Sequence, residues 1–272
     1  MLTIANFNTH CGMDGWGRPF DLLAACRSLE ADVMVLEETW TPHDPTIGPG
    51  QPAEIAAALG YQAVTCPLGD GYKIAPQPDA NDRWQPRATF LDRAKSLYFE
   101  CVRPIAETTR RSPRFRDAEY GTFGVAVLVR DHLPIESSRI VGLPTLSRDR
   151  VNRAAAVVDL TVDGVPLSVV GTHMAHLHQG SVSHYRLLRR KLEAEARPTA
   201  VLSGDMNLWG PPVRAFMRGW HRAVRGASWP TWRPHSQIDH ILVRGACTPV
   251  FGEVLPDAGS DHRPIRAQLR LG

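Results

Sequence analysis

The sequence predicts an α/β fold, and three observations carry that prediction. Short apolar runs of strand length recur through both halves of the chain. Between them lie stretches with apolar residues at helical spacing: Leu22, Leu23, Cys26 and Leu29 in one, and Val182, Tyr185, Leu188, Leu192 and Ala196 in another. Many of the strand-like runs end in polar residues, so the fold is expected to gather reactive side chains at strand tips.

In chain order, Leu2 to Asn8 reads as a strand, Phe20 to Glu30 as a helix and Val33 to Leu36 as a buried strand. Glu37 and Glu38 stand at the end of that strand, where neighbours face opposite sides, so only one of them is expected in a site. Pro52 to Leu59 reads as a short helix and Tyr61 to Cys66 as a strand. From Pro67 to Tyr120 no long periodic segment is visible, although Ser96 to Ile105 has strand character. Regularity returns with Thr122 to Arg130, then with Arg153 to Val162 and Pro166 to Gly171, the last two joined by the hairpin signal Asp163-Gly164. The run LSVVGT ends at His173 and precedes the second helix.

Thr199 to Ser203, led in by Pro198, is a buried strand that delivers Gly204, Asp205, Met206 and Asn207. The glycine is expected to let the backbone turn where a side chain would crowd a ligand. Strands over Ile238 to Arg244, Thr248 to Leu255 and Pro264 to Leu271 complete the chain, with no internal repeat.

Composition bounds the rest. At 272 residues with 43% hydrophobic content, one catalytic domain over residues 1–272 is expected, carrying an irregular basic insertion at about 67–120. No uncharged apolar run approaches the ~20 residues of a membrane span. MLTIANFNTH lacks a signal-like pattern, so a cytoplasmic location is expected, and a monomer. The five cysteines are scattered without a C-x-x-C pair, which favours reduced, buried thiols over disulfides or a zinc site. A formal charge of +3 identifies no partner, but its distribution is uneven. Between Arg83 and Arg116 nine Lys/Arg stand against three Asp/Glu, interleaved with Trp84, Phe90, Tyr98, Phe99 and Phe115. Such an arm can track a phosphate backbone and stack bases; it can equally be a solvated loop.

The strand ends present Asn8, Glu38, His173, Asp205 with Asn207, and Asp239, while a loop adds Asp261 and His262. Carboxylates, carboxamides and imidazoles without a Ser-His pairing or a glycine-rich phosphate loop suit hydrolysis by a metal-activated water. One or two carboxylates would hold a hard divalent ion, another would orient the water, and imidazoles would stabilise the developing charge or protonate the leaving oxygen.

Taken in order, FN, LEET, GTHM, GDMN, QIDHI and SDHRPI resemble the motifs of the endonuclease/exonuclease/phosphatase superfamily, from Ile4 to Ile265. That superfamily includes deoxyribonucleases, repair nucleases, neutral sphingomyelinases and inositol-polyphosphate phosphatases. The resemblance implies a four-layer α/β sandwich, two packed mixed β-sheets flanked by helices, with the site at one end between the sheets. It implies a Mg²⁺ or Mn²⁺ site at Glu38, with Asn8 and Asp261 beside it, and Glu37 in the position of the family's glutamine. His173 would act on the phosphate or leaving group, Asp205 would orient water and Asn207 would bind phosphate. Asp239 would position an imidazole, and His262 would contact the scissile phosphate. His10 replaces an acidic residue common in repair nucleases, and His173 itself points away from the exonuclease III-like branch.

The expected activity is that of a metal-dependent phosphodiesterase on nucleic acid or nucleotides, the basic arm Arg83 to Arg116 binding DNA or RNA. A phosphomonoesterase or a sphingomyelinase-like enzyme on a small phosphorylated metabolite or lipid headgroup is the alternative. Two readings from other classes rank below these. The pattern His173-x-x-His176-x-His178 resembles an imidazole zinc cluster, and a non-catalytic nucleic-acid-binding module would use the arm alone. Arg150 and Arg153, flanking Asn152, read as solvated charge before substrate-phosphate contacts, and Trp229 and Trp232 as either packing or cleft-lining residues.

Overall fold

The computed structural model describes residues 1–15, 17–73, 119–146, 149, 151–179 and 181–272. The basic arm from Arg83 to Arg116, the strand expected over Ser96 to Ile105, and Arg150 lie outside the described residues. Strands β1 (Leu2–Asn8), β2 (Val33–Pro42), β3 (Tyr61–Lys73), β4 (Glu119–Arg130), β11 (Cys247–Val254) and β12 (Ile265–Leu271) form a six-stranded sheet in the order β11-β12-β1-β2-β4-β3. Strands β5 (Ile135–Gly142), β6 (Ala154–Val162), β7 (Val165–His173), β8 (Ala200–Asp205), β9 (His221–Arg222) and β10 (Asp239–Arg244) form the second, in the order β5-β6-β7-β8-β10-β9.

Both sheets are mixed. Each has one parallel pair, β1 with β2 and β7 with β8, among otherwise antiparallel neighbours. The carboxyl ends of these two parallel pairs lie at the same end of the molecule. There β1 supplies Asn8, β7 supplies His173 and β8 supplies Asp205.

Burial follows the alternation of side chains. Ile4, Val33, Val35, Val125 and Val127 of the first sheet meet Ala156, Val158, Val169, Val201 and Ile241 of the second in a shared core. The opposite face of the first sheet packs Phe7, Met34 and Leu128 against helices α1 (Leu22–Ser28) and α2 (Gln51–Leu59). The opposite face of the second packs Val157, Val170 and Leu202 against α3 (Val182–Glu195) and α4 (Gly210–Phe216). These layers make the four-layer sandwich that the motifs implied. A Cβ on Gly171 would lie 2.8 Å from Val127 and 3.0 Å from Val35, so this glycine lets the sheets approach closely.

Several elements differ from expectation. β2 continues past Leu36 to Pro42, and a register shift between Leu36 and Thr39 marks a bulge at Glu37 and Glu38. β3 runs on from Cys66 to Lys73 along β4. β5 and α4 were not legible: β5 is an edge strand with little buried surface, and α4 opens on two prolines that punctuate rather than form a period. The four described cysteines are buried and free, as expected. Among the described residues no helix is long and apolar enough to cross a membrane.

Candidate active site

The β8 tip is shaped first by its neighbour. A Cβ on Gly204 would sit 1.9 Å from the Thr172 carbonyl oxygen, so the glycine answers the approach of β7 and not, as expected, a ligand. Met206 and Leu208 turn into the core beneath α3, while Asp205 and Asn207 stay at the strand end. Asp205 Oδ1 accepts the Asn207 backbone N–H at 2.8 Å, and Asn207 adopts a left-handed φ of 49°.

Asn207 fixes the state of His173. Its Nδ2 donates to the Met174 carbonyl at 2.8 Å, and that oxygen can only accept. The second amide hydrogen then faces His173 Nε2 at 3.2 Å, which must present a lone pair. His173 is therefore neutral, with its proton on Nδ1. Burial holds its pKa well below the ordinary value, aided by the Arg153 cation. A phosphoryl oxygen bound by Asn207 would take the hydrogen now given to His173.

His262 is the opposite case. Its Nδ1 lies 3.0 Å from Asp239 Oδ2, and the Ser228 hydroxyl donates to the same oxygen at 2.5 Å. Its Nε2 points towards Asp205, 3.9 Å from Oδ2. Burial alone would lower its pKa, but the Asp239, Asp261 and Asp205 carboxylates outweigh burial and hold it well above the ordinary value. Burial, then the Asp239 charge, raises Asp205 to about 7, against the opposing pull of His262 and the Asn207 N–H. One imidazole is thus set as a proton acceptor and the other as a charged donor, on either side of one carboxylate.

Asn8 ties the two sheets together here. Its Nδ2 donates to Glu38 Oε1 at 3.1 Å and to Asp205 Oδ2 at 3.3 Å, while its Oδ1 accepts the His10 N–H. Asn8 thereby holds both carboxylates in place, and its Oδ1 keeps a second lone pair beside the His10 N–H. Asp261 lies beside His10, with Oδ1 3.6 Å from Nδ1, and accepts from the Ser260 hydroxyl. Trp232 packs where a Cβ on Gly15 would also meet Asp261, and Trp229 lies 6.3 Å from the His262 ring. Both tryptophans therefore stand beside site residues, and Trp209, two residues past Asn207 in the chain, is 53% exposed.

Glu37 was passed over in the sequence because strand alternation should aim only one glutamate inward. The bulge breaks that rule: Glu38 takes a left-handed φ of 50°, and Glu37 lies fully buried under the site. Asn6 donates to Glu37 Oε2 at 3.3 Å, while Oε1 has no partner. Burial and then the Asp239 and Asp205 charges push its pKa well above the ordinary range, which favours the neutral acid in the position the motif gives to an amide.

Arg153 is buried as well, correcting its reading as solvated charge. Among the described residues no metal-binding group contains the histidines of the zinc-cluster reading. His173 Nε2 is occupied with Asn207, His176 is exposed, and the side chain of His178 lies outside the described residues.

The donors suit a hard cation. Asp205, Asp239 and His262 bring ligand atoms within 4.8 Å of one another, and the oxygens of Glu38 and Asp261 border the same site. Burial and the Asp239 charge, which raise the Asp205 pKa, mark a desolvated and crowded anionic site that a bound cation would relieve. Carboxylate oxygens, with the nearby Cys11 thiol held protonated by burial, fit a divalent ion of the Mg²⁺ type.

The two-sheet sandwich thus gathers paired histidines and acids at converging strand ends. The chain belongs to the Endonuclease/Exonuclease/phosphatase family, whose sequence profile matches residues 5–262; members are generally divalent-metal-dependent phosphoester hydrolases. Among solved structures it is similar to an endonuclease/exonuclease/phosphatase from Beutenbergia cavernae, 21% identical at a TM-score of 0.66, covering 100% of this chain and 72% of that one. It is also similar to a mannosyl-6-phosphatase of Bacteroides thetaiotaomicron, 15% identical at 0.65 over 100% of both chains. The human nocturnin catalytic domain with bound sulfate is 13% identical at 0.58, over 100% of this chain and 94% of that one. Comparison with curated proteins found no match.

Proposed function

We propose that this protein is a Mg²⁺- or Mn²⁺-dependent phosphodiesterase acting on nucleic acid or nucleotides. The observation that carries the hydrolytic reading is the split between the two histidines across Asp205. Ionised Asp205, with a pKa of about 7, takes a proton from the attacking water at neutral pH. His262, held at Nδ1 by Asp239, presents its Nε2 proton to a phosphoryl or leaving oxygen. Asn207 and neutral His173 orient the phosphate from the other side.

Glu38 and Asp261, with Asn8 orienting Glu38, would hold the divalent ion, whose charge stabilises the phosphorane-like transition state. The nucleotide preference is supported by Trp229 and Trp232 beside site residues, the exposed Trp209, and the basic, aromatic arm of the sequence. A phosphomonoesterase is the second reading, favoured by the higher TM-score to the sugar phosphatase, 0.65, than to nocturnin, 0.58.

The test is a turnover screen of plasmid DNA, RNA, sphingomyelin, bis-nitrophenyl phosphate and nitrophenyl phosphate, each with Mg²⁺, Mn²⁺ and Ca²⁺. Cleavage of DNA, RNA or the diester well above the monoester supports the proposal. Turnover of the monoester alone transfers the assignment to the second reading.

A further inference from the structure

We infer that Asp149 and Arg153 form a clamp that positions His173, an inference that rests on His173 belonging to a phosphoester-cleaving site. Arg153 Nε donates to Asp149 Oδ2 at 2.7 Å, its Nη2 faces Oδ1 at 3.5 Å, and its Nη1 donates to the His173 carbonyl at 3.3 Å. Both side chains are buried, Asp149 at 6% and Arg153 at 7% residue exposure. Asp149 Oδ1 also accepts the Val151 N–H at 3.1 Å. The loop itself is pinned, because the Asn152 N–H donates to the Leu68 carbonyl of β3 and the Leu143 N–H to the Arg153 carbonyl.

Stability gives little reason to place two charges here. Desolvating a buried pair consumes most of what its attraction returns, and well-packed apolar residues of similar volume serve a core equally well. What the pair supplies is direction. A planar guanidinium held on two sides by one carboxylate has its remaining N–H bonds fixed in direction, including the Nη1 N–H. That N–H meets the backbone carbonyl of the residue where β7 ends and whose imidazole reaches Asn207 and Asp205. Arg153 touches none of the reacting groups itself, so it is a positioning residue. Displacement of a catalytic group by about 1 Å can cost on the order of 10²-fold in rate.

The experiment is a mutant cycle with three variants, read with bis-nitrophenyl phosphate and a divalent ion. The first carries Asp149→Leu with Arg153→Met, the second carries His173→Ala, and the third combines all three changes. The apolar clamp replacement is expected to melt close to the native protein, to lose at least ~10-fold in kcat, and to keep KM within about 2-fold. In the His173→Ala background the same replacement should produce no further loss, because the clamp acts through that imidazole. If the leucine–methionine variant does not fold, Arg153→Lys enters the same cycle, since a lysine cannot reproduce the fixed fork. Undiminished kcat in the folded clamp variant, or an equal loss with and without His173, overturns the clamp alone. Absence of turnover by the native protein on every substrate of the screen would sink the hydrolase reading and the clamp with it.

Discussion

Replacing Asp205 with asparagine should raise stability at alkaline pH in the metal-free protein while removing catalysis. Asp205 is 2% exposed, and its pKa lies at about 7 against an ordinary 3.8. Between those values the folded state holds a proton that the unfolded chain has lost, so stability falls as pH rises through that window. About three pH units at ~1.4 kcal/mol each make the full penalty about 4 kcal/mol, complete above pH 7. Asparagine keeps an acceptor for the Asn207 N–H but no longer offers a charged oxygen to Asn8, a loss of about 1 kcal/mol. The variant should therefore be less stable than the native protein by about 1 kcal/mol near pH 4 and more stable by about 3 kcal/mol at pH 8. Denaturant titrations in excess chelator at both pH values measure this directly. Added Mg²⁺ should then stabilise the native protein more than the variant, and kcat of the variant should fall on the order of 10²-fold or more. Parallel stability curves for the two proteins from pH 4 to pH 8 would refute the claim that Asp205 carries uncompensated charge.

Further outcomes follow from the same geometry. Chelation should abolish activity, and Glu38→Ala should cost at least ~100-fold in turnover and weaken Mg²⁺ binding by calorimetry, whereas Glu37→Gln should leave turnover near native. Because the Glu37 pKa is raised, its contribution to stability declines as pH climbs above its ordinary 4.5, and the glutamine variant should flatten that decline in chelator melts. His262→Ala should lose about 10²-fold in kcat, and its combination with Asp205→Asn should be little worse than the poorer single variant, since the two act as one unit. Neutralising Arg110, Arg111, Arg114 and Arg116 together should flatten the salt dependence of nucleic-acid binding while cleavage of a small diester survives; an unchanged salt slope would return the arm to a solvated loop.

Much of the fold was legible because burial imposes period. The strands Leu2–Asn8 and Asp239–Arg244 are almost wholly buried and read as apolar runs, whereas β5, at a sheet edge, has mostly exposed residues and no such signature. Asn8, His173, Asp205, Asn207 and Asp239 were named from strand ends and His262 from the loop before the last strand, and the structure brings them together at hydrogen-bonding distance or near it. The division of labour between His173 and His262 was not legible, since it depends on which carboxylate or amide each imidazole meets after folding. Glu37 was hidden by a bulge, which no two-residue period can express. Arg153 looked like surface charge, and Asp149 drew no reading, because sequence spacing says nothing of what closes over a loop.

The hydrogen bonds from Asn8 to Asp205 and from Ser203 to Asn6 each join residues 197 positions apart and cross from one sheet to the other. Neither sheet alone holds a complete set of reactive groups: one supplies Asn8 and Glu38, the other His173, Asp205 and Asp239. The reactive centre is thus a seam. Under the proposed function, a chain with one sheet formed and the other still loose would be inert, and hydrolysis would wait for the docking that closes the core.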